Sequence, residues 1–190
     1  MTKSKFTLGL LIGFLATQAN AVVPTLALTW DTNVRTYSMT SSQEAKIQKA
    51  EYKIRKVLAS DEFRLKVLNH TYGGVKRFVD NGGLSNSQIY YKMLNGAEKL
   101  NGVSDNEMDM WIKTYYSSSN TVGYTSTGSN YVYMNRKFLN SYTSTQVTRN
   151  MIHEWLHKLG FKHAVSYSTS RNYSVPYGIG RIMETLAAKY

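Results

Sequence analysis

Three of the four histidines in this chain lie within eleven residues, as His153, His157 and His163. The first two are four residues apart, so on a helix their imidazoles share one face and can reach the same metal ion. Imidazole nitrogens bind zinc at roughly 2.0–2.1 Å, and a catalytic zinc site has three protein ligands and one open position. The spacing therefore predicts that His153, His157 and His163 hold one catalytic Zn²⁺.

Two further residues complete the pattern H-E-x-x-H-x-x-G-x-x-H. Glu154 follows the first histidine directly, which places its carboxylate beside the metal as a general base and then general acid for hydrolysis of an amide. The third histidine can return to the metal only if the chain turns, and Gly160 permits this turn because glycine tolerates left-handed backbone angles. A closed structural zinc site is disfavoured, because the chain has no cysteine and such a site does not need the glutamate.

The helix that carries the motif has its own start and stop signals. Ser141, Thr143 and Ser144 are candidate N-caps. Apolar residues recur at helical spacing up to the motif, and Gly160 ends the helix. Phe161 is expected to pack back onto the helix end.

The eleven-residue pattern resembles the extended signature of the metzincin clan of zinc metalloendopeptidases. Residues 122–125, 134–135 and 174–183 are also similar to small secreted bacterial proteins that combine this zinc motif with a V-P-Y-x-x-G segment. The resemblance implies a single small α+β metzincin-like domain, with a twisted mixed sheet, helices, and the active-site helix under a cleft. It also implies a zinc endopeptidase that hydrolyses an extended peptide or protein substrate.

The resemblance suggests further site residues. Metzincins have a methionine turn beneath the metal, for which Met183 is the candidate, although the sequence around it favours a helix. Tyr177 is the candidate for a tyrosine that ligates the resting metal or stabilises the oxyanion; an ordinary aromatic residue in a Pro-Tyr-Gly turn is the alternative. An edge strand that binds the substrate backbone is expected within Val122–Tyr133, at Gly123 and Tyr124, with an ordinary hairpin as the alternative.

Two other functions are compatible with the same residues. A zinc amidase acting on peptidoglycan or other cell-envelope amides would use the same chemistry. A secreted binding protein without catalytic activity could keep zinc for stability, although the intact Glu154 favours catalysis. Degradation of casein or release of cell-wall fragments separates the two enzymes, and a Glu154→Ala variant separates catalysis from binding.

The first 21 residues predict a secretory signal peptide, followed by one domain over residues 22–190. Lys3 and Lys5 precede the apolar run Phe6–Ala16, and Ala19–Ala21 has the form of a cleavage site. The run is shorter than the roughly 20 apolar residues of a membrane span, so no transmembrane anchor is expected after cleavage. The sequence thus predicts a secreted or periplasmic protein.

The net charge indicates which partners to expect, and the cysteine content limits the covalent chemistry of the chain. The formal net charge of +11 favours attraction to an anionic envelope surface. The charges are dispersed, and without a basic stripe or a recognised motif we expect no nucleic-acid partner. The chain has no cysteine, which excludes disulfides and a cysteine-based latency switch.

Helical periodicity predicts three helices upstream of the zinc motif. Apolar residues recur at helical spacing over Ser42–Ala59, with Ser41 or Ser42 as the cap. Asp61 is the candidate cap of a short second helix. Ser85–Gln88 has the form of a capping box that opens a third helix.

Extended segments are predicted on both sides of these helices. The segment Val22–Ser42 is expected to be extended, with a first strand at Leu26–Trp30. Met108–Tyr116 alternates as a strand does. Val122–Thr125 and Tyr131–Asn135 are expected to be two strands joined by a polar loop.

Overall fold

The computed structural model describes residues 31–190. The predicted signal peptide and the predicted Leu26–Trp30 strand lie outside these residues. Four strands, six α-helices and a short 3-10 helix make up the described part, which confirms a mixed α+β architecture. In chain order they are β1 (Asp31–Tyr37), α1 (Ser41–Leu58), α2 (Asp61–Leu68), α3 (Asn86–Asn95), β2 (Glu107–Tyr115), β3 (Gly123–Tyr124), β4 (Tyr131–Asn135), α4 (Arg136–Ser141), α5 (Ser144–Lys158), the 3-10 helix (Ser170–Tyr173) and α6 (Val175–Ala187).

The four strands form one mixed sheet in the order β1-β2-β4-β3. Strands β1 and β4 run parallel to β2, and β3 runs antiparallel to β4. The expected pair of strands joined by a polar loop is confirmed as β3 and β4, and β3 lies at the sheet edge. It is shorter than predicted, because it pairs with β4 only at Gly123 and Tyr124.

One face of the sheet packs against helices and forms the core. Alternation along β2 buries Met108, Met110 and Ile112 on that face, while the intervening side chains stay partly exposed. Helix α5 lies between α1 and α6 and also contacts the sheet. The helix that carries the first two histidines of the motif is therefore packed on several sides by other elements.

The helix starts follow the capping rules with small shifts from the prediction. Thr40, not Ser41 or Ser42, caps α1 in a capping box with Gln43. Ser60, not Asp61, caps α2, because its hydroxyl accepts a hydrogen bond from the third amide of the helix. Asp61 instead lies in the first turn, where its negative charge interacts favourably with the positive end of the helix dipole.

The third helix begins where the sequence predicts. The capping box between Ser85 and Gln88 is confirmed, and α3 ends at Gly96 with a left-handed backbone (φ 64°). None of the helices within residues 31–190 has the length and apolarity needed to cross a membrane.

Candidate metal centre

Helix α5 begins at a well-formed cap that fixes its position. Of the three candidates, Thr143 is the cap: its hydroxyl accepts from the Gln146 amide at 3.2 Å, and the Gln146 side chain accepts from the Thr143 amide at 2.9 Å. The helix then buries Met151, Trp155 and Leu156 completely. The first two histidines of the motif therefore project from a firmly packed helix.

The turn after α5 has the backbone geometry that the sequence predicts. Gly160 has φ 94°, a left-handed value that strains any residue with a Cβ. The amide of Phe161 donates to the Leu156 carbonyl at 3.0 Å, and the Phe161 ring packs into the core. This turn brings His163 back beside the two helical histidines.

The three imidazoles converge on one point. The Nε2 atom of His153 lies 3.2 Å from the Nε2 atoms of both His157 and His163. Ligand atoms of all three residues lie within 4.8 Å of one another. Nitrogens in tetrahedral coordination at roughly 2.0–2.1 Å from zinc are about 3.3–3.4 Å apart, so the observed separations fit this metal.

Hydrogen bonds on the far side of two rings fix which nitrogen faces the centre. The Nδ1 atom of His157 lies 2.8 Å from the Phe161 carbonyl oxygen, and that of His163 lies 2.9 Å from the Ala164 carbonyl oxygen. A carbonyl oxygen only accepts, so each Nδ1 carries the proton and each neutral Nε2 presents a lone pair. Lone pairs this close repel one another unless a cation lies between them. The donor set therefore suits a metal ion.

Burial keeps these imidazoles in the metal-binding form. Burial lowers the pKa of His153 well below its usual value, and the other two imidazoles lower it further. Burial also lowers the pKa of His157 and of His163. Neutral imidazole is the species that binds a metal, so all three are ready to bind at neutral pH.

Glu154 lies beside the cluster and is only 3% exposed. Burial raises the pKa of its carboxyl to about 8. Its Oε2 atom has no hydrogen-bond partner within residues 31–190, and no cationic side chain there forms an ion pair with it. This buried carboxyl, unpaired in the described part of the chain, is a second observation in keeping with a metal site. A dication on the neighbouring imidazoles would favour its ionised form.

Tyr177 reaches the cluster from a different element than expected. It lies in the first turn of α6, which Pro176 opens, and not in a loop turn. Its ring centroid is 4.5 Å from that of His153 and 4.7 Å from that of His163. Its hydroxyl accepts a hydrogen bond from the Arg171 guanidinium, which lies 4.6 Å from the ring centroid.

The assignment of Met183 to a methionine turn is wrong. Met183 is fully buried in the middle of α6, and the helix continues to Ala187. Its position follows from helical spacing, since Ile179, Met183 and Ala187 repeat every four residues and all face the core. The residue therefore contributes to packing of the helix behind the site.

A cleft of about 470 Å³ opens above the cluster, between α5, α6 and β3. Gly123 and Tyr124 of the edge strand line it together with the three histidines and Glu154. A Cβ at Gly123 would lie 2.8 Å from Asn150 Nδ2, 3.0 Å from the Tyr133 carbonyl oxygen and 3.2 Å from Glu154 Oε1. The glycine thus allows the edge strand to approach the glutamate closely.

Several residues that line the cleft were not predicted from the sequence. Arg149 and Asn150 lie on the α5 face one turn before the motif, and Arg171 lies in the 3-10 helix. Helical spacing from His153 was the signal for Arg149, and spacing from Glu154 was the signal for Asn150. Nothing in the sequence pointed to Arg171. His70, the remaining histidine, stacks on Phe78 at 3.9 Å and does not join the cluster.

No protein-family model matches this chain, and no curated protein shows significant similarity to it. The geometry of the cluster and its cleft is therefore the basis for proposing a function.

Proposed function

We propose that this protein is a secreted zinc-dependent endopeptidase of the metzincin type. The observation that carries the proposal is the convergence of three imidazole Nε2 atoms, two of them 3.2 Å from the third, beside a buried carboxyl group in an open cleft. His153, His157 and His163 would hold one zinc ion. When bound, zinc supplies Lewis acidity that polarises a carbonyl and makes water acidic near neutral pH.

The protein's own groups account for the proton transfers. Glu154 is the general base: its carboxylate takes a proton from the attacking water and then delivers it to the leaving amine. Burial of Glu154 shields its carboxylate from bulk water. Gly123 of the edge strand lies close to it and limits the space in which it moves.

The edge strand supports an extended peptide as the substrate. Within residues 31–190, strand β3 pairs with β4 on one side only, and Gly123 and Tyr124 line the cleft. Its free backbone groups can pair with a substrate strand, as in recognition by strand addition. The peptide bond would then cross the cleft above Glu154.

Tyr177 is the proposed oxyanion partner. Its ring lies against His153 and His163, and its hydroxyl oxygen accepts from Arg171, which leaves the hydroxyl proton free to donate. A donor at this place would stabilise negative charge on the carbonyl oxygen of the substrate.

Export and envelope association remain predictions from the sequence. The basic n-region, apolar run and cleavage site within residues 1–21 support secretion, and the net charge of +11 supports contact with an anionic surface. The peptide substrate proposed above does not depend on either.

The test compares the wild type with Glu154→Gln, which keeps the shape of the side chain but cannot take a proton. We expect wild-type protein to degrade unfolded casein, with loss of activity in a chelator and recovery on adding zinc. The variant should bind zinc equally well and lose roughly 10²–10⁴-fold in rate. Equal rates in the two proteins would contradict the assignment of Glu154.

The rival functions are outcomes of the same test. Release of soluble fragments from purified peptidoglycan, without cleavage of casein, would identify an envelope amidase. Zinc binding without hydrolysis of either substrate by wild-type protein would identify a binding protein.

A further inference from the structure

We propose that Arg171 forms an anion-binding subsite in the cleft and selects substrates with a carboxylate close to the bond that is cleaved. The inference takes its substrate class, a peptide, from the proposed function. The carboxylate could be an acidic side chain or the C-terminus of the peptide.

Arg171 is positioned within the cleft, beside the proposed metal ligands. It lies in the 3-10 helix, and its guanidinium stacks over Tyr177, whose ring contacts two of the imidazoles. Arg171 lines the same cleft as the three imidazoles. A ligand above the imidazoles would therefore come close to the charge of Arg171.

The charge of Arg171 is not neutralised within residues 31–190. The other arginine of the cleft, Arg149, forms an ion pair with Glu184 at 3.0 Å. No carboxylate in the described part of the chain lies within 4.0 Å of Arg171. The Tyr177 hydroxyl is the only hydrogen-bond acceptor that its guanidinium contacts there, and the Nε atom is buried without a partner.

These contacts leave most of the five N–H donors of Arg171 unused. A ligand that fills the cleft would remove water from them, which is unfavourable unless the ligand supplies an acceptor. A carboxylate matches the planar guanidinium and can accept two hydrogen bonds from it. The charges around the cleft also favour an anion. Arg149 and Glu184 neutralise each other, and a bound dication and Arg171 together outweigh the carboxylate of Glu154.

The competing explanation is that Arg171 only holds Tyr177 in place. Arg181 provides a matched control for this. Its guanidinium also lies near a tyrosine ring, 5.3 Å from the centroid of Tyr173, and donates to the Asn172 carbonyl oxygen. It does not line the cleft.

The experiment measures binding without hydrolysis, by calorimetry on the Glu154→Gln protein with and without zinc. The probes are N-acetylated alanine pentapeptides with central Glu or Gln and an amidated C-terminus, and the Gln peptide with a free C-terminal carboxylate. We expect one of the carboxylate peptides to bind about tenfold more tightly than the neutral peptide. The Glu peptide and the free C-terminus distinguish the two sources of the carboxylate.

Adding Arg171→Gln should abolish this preference, while adding Arg181→Gln should preserve it. Circular dichroism and zinc content show whether each variant is folded and loaded. Equal affinities for charged and neutral peptides, no binding at millimolar concentrations, or a preference that survives Arg171→Gln would overturn the proposal. Casein cleavage by the wild type is scored separately: a carboxylate preference without cleavage would reject the proposed function alone.

Discussion

At the scale of single residues, the site depends on which nitrogen of each imidazole faces the middle of the cluster. In His157 and His163 the backbone carbonyls of Phe161 and Ala164 fix the proton on Nδ1. The turn that returns the third histidine thus also supplies the hydrogen-bond partners that orient two of the ligands. Partners of this kind typically change metal affinity by about 10–100-fold.

The proposed role of Tyr177 gives a prediction at this scale. Tyr177→Phe keeps the ring that contacts His153 and His163 but removes the hydroxyl. Loss of an oxyanion donor should lower kcat by roughly 10²–10³-fold with little change in KM. Steady-state kinetics on a fluorogenic peptide measure both constants. An unchanged kcat, or an effect confined to KM, would show that the hydroxyl does not act on the transition state.

At the scale of elements, the close approach of β3 to α5 brings the proposed substrate-binding strand next to Glu154, the proposed general base. Gly123 is the contact point, because a Cβ there would meet the Tyr133 backbone as well as the side chains of Asn150 and Glu154. The flexible Asn150 side chain can move aside, whereas the backbone of β4 resists.

Gly123→Ala should therefore lower both stability and activity. We expect a loss of about 1–3 kcal/mol in the free energy of unfolding and a roughly 10–100-fold lower kcat/KM, since Glu154 would be displaced. Gly128→Ala is the control, because it lies in the exposed loop between β3 and β4 and its added Cβ would meet nothing within 4 Å. Urea denaturation and peptide cleavage measure the two effects. Similar behaviour of the two variants would argue against the close contact.

Elements whose signal is local were predicted well from the sequence. The capping box at Ser85, the stop at Gly160 and the alternation along β2 depend on a few neighbouring residues, and all three agree with the structure. Caps were misplaced by one residue in α1 and α2, because several hydroxyl or carboxylate residues stand side by side there.

Features that depend on distant residues were predicted less well. Met183 was assigned wrongly because it was chosen to match the methionine turn of the resembling family. Helical spacing and packing against the core place it in α6 instead. Arg171 was missed because only folding brings the 3-10 helix and Tyr177 beside the histidines of α5. The three histidines were recognised because one helix and one turn position all of them.

At the scale of the whole molecule, a buried polar network connects α5 to the sheet. Glu98 is 1% exposed, and its Oε1 atom accepts from the indole of Trp155 and, at 3.1 Å, from the amide of Asp109. Lys158, at the end of α5, donates to the Asp109 carbonyl oxygen at 3.0 Å. The network holds α5, the helix of the proposed metal site, against β2.

Glu98 makes stability depend on pH. Burial raises the pKa of its carboxyl above the usual 4.5, so the folded state retains a proton that the unfolded state has already lost. The stabilisation that the protonated Glu98 carboxyl adds to the folded state is fully present below the pKa of Glu98 in the unfolded chain. It is lost as the pH rises through the pKa of Glu98 in the folded protein. Wild-type protein should therefore lose stability relative to Glu98→Gln over this window. Urea denaturation of both proteins from about pH 4 upward tests this. A difference that is constant or grows in favour of the wild type would contradict it.

The central claim, that three imidazoles form one metal site, is tested most directly by calorimetric titration of the purified protein with Zn²⁺ at neutral pH. We expect one ion per chain, an affinity weakened by more than about 100-fold in His163→Ala, and no change in His70→Gln, which alters the one histidine outside the cluster. Failure of the folded wild-type protein to take up zinc, or equal affinity in His163→Ala, would contradict it.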